Sequence, residues 1–266
     1  MKLLRSITIH NLSDMKSKIG LFTVITAIFI TMNVSAQSIN LGIRGGLSIP
    51  NLSNGKSDNP LSSGYSSRLA SDFAIFGEFQ ISNHFALKPM IEYSEQGGKK
   101  NGLQAFTTPV EFSQRVNQPY IYADYKSTAK LNYVLVPVLA KVGWDLNHQS
   151  NFRFFVEVGP FGGYLLSAKQ ITSGSSPIYL DPEKQNPISS GPISFDNKEN
   201  IRSDLRHFNF GISGNIGLAY RLNGNSIFIE GGGNYGFINI QKNAVNGKNH
   251  TGAATVTIGY SYRLKR

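Results

Sequence analysis

The sequence predicts an all-β protein, an eight-stranded antiparallel up-and-down transmembrane β-barrel. Three observations favour this architecture. Apolar side chains alternate with polar ones in segments along the chain, short turns alternate strictly with long connections, and the charges of the strands fall on one side-chain phase. The alternation of apolar and polar positions is typical of strands with one apolar and one polar face. No stretch of comparable length carries an apolar stripe at helical spacing.

The amino-terminal segment has the composition of a secretory signal peptide. Two lysines precede an apolar stretch, 19–32, and a small-residue cleavage site ends at Ala36. The apolar stretch is shorter than the roughly 20 residues that a transmembrane helix needs. We therefore expect residues 1–36 to be an N-terminal extension plus a cleaved signal peptide, and residues 37–266 to form the outer-membrane β-barrel domain.

The first four predicted strands each carry an apolar side chain at nearly every second position. They are 39–49, with Ile39 to Ile49 as the apolar phase, 72–81, with Phe73 to Ile81, 85–95, with Phe85 to Tyr93, and 130–145, with Val134 to Trp144. At some positions of this apolar, outward-facing phase, a glycine, proline or alanine stands in place of a larger side chain. None of these outer-phase residues is charged, so each segment has one face suited to an apolar surrounding.

The last four predicted strands continue the pattern. They are 152–166, with Phe152 to Pro160 as the apolar phase, 207–221, with Phe208 to Tyr220, 226–238, with Ile227 to Phe237, and 252–263, with Ala254 to Tyr262. Aromatic side chains of this phase gather near both strand ends, as in the two interfacial girdles of membrane barrels.

The connections between the predicted strands fall into two length classes. Short turns rich in Asn, Ser and Gly lie at 82–84, 147–151 and 223–225, and longer polar connections lie at 50–71, 96–129, 167–206 and 239–251. In an up-and-down antiparallel sheet, successive connections lie at opposite ends. All long connections therefore share one end, an asymmetry typical of outer-membrane barrels.

The charged phase is predicted to face the barrel lumen. If the apolar phase covered the outer wall of a soluble protein, it would expose far more than the few hundred Å² usual for a monomer, so lipid is the expected surrounding. Six glycines of the inner phase are expected to leave room for long charged side chains that pair across the lumen, namely Gly42, Gly46, Gly159, Gly211, Gly217 and Gly259. The predicted luminal charge network consists of Arg44, Glu78, Lys88, Glu92, Lys141, Arg153, Glu157 and Glu230.

Composition excludes several classes of function. The chain has no cysteine, so disulfides and thiolate chemistry are absent. The formal net charge is +10, yet the basic residues are scattered, which argues against nucleic-acid binding. His207, His250, Asp196 and Asp204 lie near the rim of long connections, but their spacing fits neither a metal site nor a nucleophile beside a base. We therefore expect no enzymatic activity, no metal and no cofactor.

Two strand segments resemble the PorT-like outer-membrane β-barrel family of Bacteroidetes. They read KLNYVLVPVLAKVGW in the fourth strand and FFVEVGPFGGYLL in the fifth, and the similarity is carried best by Leu131, Asn132, Tyr133, Pro137, Lys141, Glu157, Gly159 and Pro160. The resemblance implies location in the cell outer membrane and, in some members, a part in protein secretion. Leu135 departs from the family, which often has an acidic residue there.

These observations predict a plugged, monomeric barrel that acts as a structural or interaction protein. Its partners are expected to be outer-membrane lipid and other membrane or secreted proteins that meet the long loops. Tyr120, Tyr122 and Tyr125 are candidate contacts in the second long loop, with a simple extension of the hairpin above the membrane as the equal alternative. A narrow pore or small-solute transporter is the second interpretation, and a soluble lipocalin-like carrier is the third.

Overall fold

Eight long antiparallel strands close into a ring. The computed structural model describes residues 38–113, 116–147 and 150–264, so the predicted extension and signal peptide lie outside the described residues. The barrel strands are β1 (Ser38–Ser53), β2 (Ala70–Gln80), β3 (Phe85–Thr107), β4 (Tyr120–Asp145), β5 (Phe152–Ser173), β9 (Phe208–Leu222), β10 (Asn225–Gly236) and β11 (His250–Leu264). Each strand pairs with its neighbour in this order, and β11 pairs with β1. The predicted eight-stranded fold is confirmed.

The smaller elements all belong to the long connections. A one-turn helix, α1 (Val110–Ser113), lies at the tip of the β3–β4 hairpin. Two short strands, β6 (Ser175–Ser176) and β7 (Ile193–Ser194), pair with each other, and β8 (Asn197–Asn200) pairs with the upper part of β5. In the part of the chain that the structure describes, no helix is long and apolar enough to cross a membrane.

The outer wall is apolar and the inner wall is polar. Ile43 on β1 is 61% exposed and Ile258 on β11 is 62% exposed, whereas the neighbouring inward residue Arg44 is buried. The same alternation runs through all eight strands, because successive side chains of a strand point to opposite faces. Since every strand has partners on both sides, the sheet has no free edge within the hydrocarbon layer, as a membrane barrel requires.

The short turns use the chemistry that tight hairpins need. Leu222 pairs with Asn225, which leaves Asn223 and Gly224 as a two-residue loop. Their φ angles are 49° and 96°, the left-handed conformation that Asn and Gly adopt most readily. This turn therefore fixes the register of β9 against β10.

Three strands are much longer than the sequence pattern predicted. Pairing between β3 and β4 continues from Gln96 opposite Leu131 to Thr107 opposite Tyr120, and β5 remains paired with β4 up to Ser173. At a rise of about 3.3 Å per residue, the hairpin reaches about 40 Å beyond the apolar band. We call this part, residues 96–129 with the upper part of β5 and its connection, the extramembrane extension. Residues 96–107 and 120–129 of the predicted loop at 96–129, and residues 167–173 of the one at 167–206, are thus corrected to strand.

The extension has a small hydrophobic core of its own. Val116, Ile121 and Ile178 are buried there, and the partly buried side chains around them are Phe106, Phe112, Leu180, Ile188 and Phe195. The sequence pattern missed these strands because the outward positions beyond the membrane band are polar, as at Lys99 and Lys126. An apolar outward face marks a barrel strand only within the hydrocarbon layer, where that face contacts lipid.

Candidate functional site

Arg44 joins three acidic side chains at the centre of the lumen. Its guanidinium contacts Glu230, lies 2.7 Å from Glu92 and lies 3.7 Å from Asp72. These groups come from β1, β10, β3 and β2, and all of them point inward because they occupy the same strand phase. The fork of donors on arginine suits several carboxylates at once.

Lys88 continues the network on the opposite side. Its Nζ atom lies 3.0 Å from Glu157 and 3.4 Å from Glu230, so Glu230 links the lysine to Arg44. Asn215 donates to Glu157 at 2.8 Å, and Thr257 donates to Glu230 at 3.2 Å. Neutral donors thus occupy further carboxylate lone pairs, as buried charges require.

Three of the predicted network members lie in two separate pairs. Lys141 lies 2.6 Å from Glu78, and Asn40 also donates to this carboxylate at 3.4 Å. Arg153 pairs with Asp145 at 3.0 Å near the short turns, where both side chains are partly exposed. All eight predicted residues therefore lie on the inner face. Five of them form the closed network, whereas Glu78 and Lys141 line the open cavity near the short turns together with Arg153.

Asp72 is a member of the network that sequence reasoning missed. Its side chain is fully buried, and neither carboxylate oxygen accepts a hydrogen bond from the described residues. The signal was present, because Asp72 shares its strand phase with Glu78. With Asp72, five buried carboxylates face two buried bases, Arg44 and Lys88, and the partly buried Lys141, a formal excess of two negative charges among these described groups.

Aromatic rings separate the cations from one another. The Nζ atom of Lys88 lies 4.6 Å from the centroid of the Phe76 ring and 5.1 Å from that of Phe228. The Nζ atom of Lys141 lies 4.2 Å from the centroid of the Phe155 ring. A cation at these distances is attracted to the ring face, so the rings stabilise both ammonium groups.

Three of the six predicted luminal glycines accommodate these rings instead of long charged side chains, which corrects the role predicted for those three. A Cβ atom on Gly42 would lie 2.2 Å from Phe76, and one on Gly259 would lie 2.2 Å from Phe228. Gly217 has the same relation to Phe155 at 2.3 Å. The three rings occupy the space beside glycines of neighbouring strands, so the interior is filled by aromatics as well as by charges.

A layer of apolar side chains closes the lumen toward the long connections. It contains Leu131, Tyr133, Leu135, Phe161 and Leu165, all of them almost fully buried. Leu135 belongs to this layer, and Lys141 pairs with Glu78. Leu52, Leu205 and Ile240 extend the layer toward the extracellular connections. Polar and apolar layers together fill the bore, as expected for eight strands.

Two cavities flank the filled lumen. One, of about 760 Å³, opens among the short turns and contains the Asp145 and Arg153 pair together with Arg221 and Arg263. The other, of about 220 Å³, lies at the start of the extramembrane extension and is called the mouth pocket below. The apolar layer and the charge network lie between them.

The three candidate tyrosines lie on strand β4 and are half-buried, which corrects their predicted exposure in a loop. Tyr120 pairs with Thr107, and the backbone of Tyr122 bonds that of Tyr179 in both directions at 2.8 Å. The ring of Tyr125 stacks on Phe195 with centroids 4.7 Å apart. Residues of the connection after β5 thus contact the backbone of Tyr122 and the ring of Tyr125.

His207, His250 and Asp196 at the rim each contact a different part of the chain. The His207 ring bonds the carbonyl of Arg202 at 3.2 Å, the ring of His250 stacks on Tyr235, and Asp196 accepts a bond from the backbone of Gly174 at 3.0 Å. No cluster of three His, Asp or Glu side chains in the described part of the chain could hold a metal ion.

Comparison with known proteins gave one family and several solved barrels. The model of the outer membrane protein beta-barrel domain matches residues 35–242. Ail, the attachment invasion locus protein of Yersinia pestis, is 12% identical over 85% of this chain and 100% of its own, with a TM-score of 0.35. OprG from Pseudomonas aeruginosa is 9% identical over 88% of this chain and 99% of its own, with a TM-score of 0.38. The Escherichia coli outer membrane protease OmpT is 10% identical over 86% of this chain and 98% of its own, with a TM-score of 0.31.

The comparison with curated proteins gave no match. The family model covers most of the chain, and it agrees with the closed ring and the apolar outer wall. The chain therefore belongs to the outer membrane protein beta-barrel domain family and is located in the outer membrane.

Proposed function

We propose that the protein is a non-conducting barrel that acts as a structural or interaction protein, with the extramembrane extension as its contact surface. The observation that carries the proposal is the filled lumen, in which Lys88, Glu157, Tyr133, Phe155 and Phe161 are almost wholly inaccessible. A permeating ion would have to displace paired charges and then cross the apolar layer. Both steps are costly in a low-dielectric interior.

The extramembrane extension supports the second half of the proposal. Continuous strand pairing and a separate core make it a rigid surface rather than a set of loose loops. Rigid surfaces lose little conformational entropy on binding. In outer-membrane barrels the longer connections face outward from the cell, so the partner would be a membrane or secreted protein. The part in protein secretion that the PorT-like resemblance implies fits such a partner, and the proposal includes no enzymatic activity.

Conductance across a planar bilayer tests the closed lumen. The refolded protein is expected to give no steady current, whereas the narrow-pore interpretation requires one. Insertion is checked in the same membranes by protection of the barrel from added protease. A steady current that scales with the amount of inserted protein would contradict the proposal.

Crosslinking in whole cells tests the interaction role. A photoreactive residue at Val110, which is 83% exposed at the hairpin tip, is expected to give an adduct with a membrane or secreted protein. The same residue at exposed Asn223 in a short turn serves as the control, because it lies at the other end of the barrel. If neither Val110 nor other exposed positions of the extension gave an adduct that Asn223 lacks, the extension would not be a contact surface.

A further inference from the structure

The mouth pocket is assembled from several separate parts of the chain. Tyr65 comes from the connection after β1, Lys100 from β3, Tyr125 from β4, and Gln241 from the connection after β10. The short helical turn before β9 contributes Leu205. A cavity that several elements build together is typical of ligand sites, which are concave and lined by apolar groups with a few polar ones.

The pocket has an apolar floor and polar walls. The floor is formed by Leu52, Leu131, Ile201, Leu205 and Ile240, which also belong to or pack against the layer that closes the lumen. The walls carry the side chains of Gln104, Gln170, Gln241, Tyr65 and Tyr125. A ligand that fits must therefore have an apolar body and a polar group.

Lys100 supplies the buried charge of this pocket. Its side chain is only 8% exposed, and its Nζ atom donates to the carbonyl of Leu61 at 2.8 Å and lies 4.4 Å from the Tyr65 ring centroid. No carboxylate in the described part of the chain forms an ion pair with it. An ammonium group has three donors, so two are free for a ligand. A buried cation without an anionic partner is costly, and a bound anion would offset that cost.

Other polar atoms of the pocket also have unused capacity. The amide nitrogen of Gln104 donates to the carbonyl of Tyr125 at 2.5 Å, while its oxygen accepts no bond from the described residues. The hydroxyl groups of Tyr65 and Tyr125 likewise form no hydrogen bond within the described ranges. These hydroxyls can donate to a carboxylate oxygen beside Lys100.

We propose that the mouth pocket binds a small organic carboxylate, with its carboxylate at Lys100 and its apolar body on the floor. The volume of about 220 Å³ sets the size. An apolar cavity of about 150 Å³ holds benzene, so this pocket suits a body of that size with one carboxylate attached. Positively charged ligands are disfavoured by Lys100, and larger ones do not fit. This site is independent of whether the lumen conducts.

Benzoate and its neutral isostere benzamide test the charge requirement. Isothermal titration of the folded barrel in detergent at pH 7 is expected to show binding of benzoate at least about tenfold tighter than that of benzamide, which corresponds to about 1.4 kcal/mol. The Lys100→Met variant is expected to lose this preference. Lys99→Met is the matched control, because Lys99 is the neighbouring residue but is exposed on the outer face.

The pH dependence of benzoate binding identifies Lys100 as the group responsible. Burial lowers the pKa of Lys100 to about 8, so the ammonium form is lost as the pH rises through that value. Burial raises the pKa of Tyr65 to about 12, and burial also raises the pKa of Tyr125. Asp204 is the remaining ionisable side chain among the described residues that line the pocket. Affinity is therefore expected to fall by up to about tenfold per pH unit above pH 8.

Several results would overturn the proposal. They are the absence of benzoate binding to the unaltered protein, equal affinities for benzoate and benzamide, and unchanged benzoate binding by Lys100→Met. If that variant failed to fold, the comparison of the two ligands and the pH series on the unaltered protein would still show whether the pocket binds a carboxylate at Lys100. A conducting barrel that binds benzoate would contradict the proposed closed lumen but not this site.

Discussion

At the scale of single residues, Arg44 is the group on which the luminal charges depend most. It lies within ion-pairing distance of Asp72, Glu92 and Glu230, and only one further base, Lys88, contacts Glu230. Loss of one partner from a buried ion pair leaves an uncompensated charge, which costs far more than the pair contributes. The arginine thus makes burial of these acids tolerable.

Replacement Arg44→Met is expected to destabilise the folded barrel by about 3–5 kcal/mol, since Asp72 and Glu92 lose their basic partner and Glu230 keeps only Lys88. Urea unfolding in lipid vesicles, followed by gel mobility, measures the change. Lys184→Met is the matched control, because Lys184 pairs with Asp124 at the surface of the extension and surface pairs contribute only about 0–1 kcal/mol. Equal stabilities of the two variants would show that the luminal network contributes little.

At the scale of elements, neighbouring strands fit together through glycine and phenylalanine. Gly42 on β1 faces the Phe76 ring of β2, and Gly259 on β11 faces the Phe228 ring of β10. Each bare backbone segment gives a ring room to lie against the barrel wall. This packing places the rings beside Lys88 and fills space that the charged side chains leave open.

A methyl group at Gly42 is expected to destabilise the barrel by about 1–3 kcal/mol, because the Phe76 ring must move within a packed interior. Gly162→Ala is the control, since a Cβ atom there would meet nothing within 4 Å. The same unfolding assay applies. The second change Phe76→Leu should recover part of the loss from Gly42→Ala, and additive effects of the two changes would argue against direct contact.

At the scale of the whole molecule, apolar and charged side chains are distributed in the reverse of the way typical of a soluble protein. Apolar side chains such as Ile43 and Ile258 face outward, while charged ones such as Lys88 and Glu157 are fully buried. Contact with lipid stabilises the apolar outer wall, and closure of the ring gives every strand's backbone groups hydrogen-bond partners within the barrel. Above the membrane the rule changes, and the extension packs its apolar residues inward like a water-soluble sheet.

Replacement Ile43→Arg tests this orientation. A charge on the lipid face is expected to cost about 2–4 kcal/mol near the middle of the bilayer and much less near its edges. Val110→Arg, at an exposed position outside the membrane, is expected to change stability by less than about 0.5 kcal/mol. Folding into vesicles as a function of urea measures both, and an equally small effect at Ile43 would contradict its contact with lipid.

The sequence by itself determined the strand positions in the membrane, the face that each strand turns to lipid and the sides on which short and long connections lie. These features are local, because alternation and turn chemistry can be read within about ten residues. The phase of Arg44, Lys88 and Glu157 could be predicted for the same reason. Asp72 was within reach of this reasoning, as it shares the phase of Glu78.

The tertiary structure alone decided which luminal groups meet. Arg44 and Glu230 are 186 residues apart, and their contact depends on barrel closure and on the stagger of eight strands. The lengthening of β3, β4 and β5 beyond the membrane could likewise not be predicted from the sequence. Both faces of a strand outside the membrane can be polar, and apolar and polar positions then no longer alternate. The mouth pocket follows from that extension, since Lys100 becomes buried only when the connections fold over it.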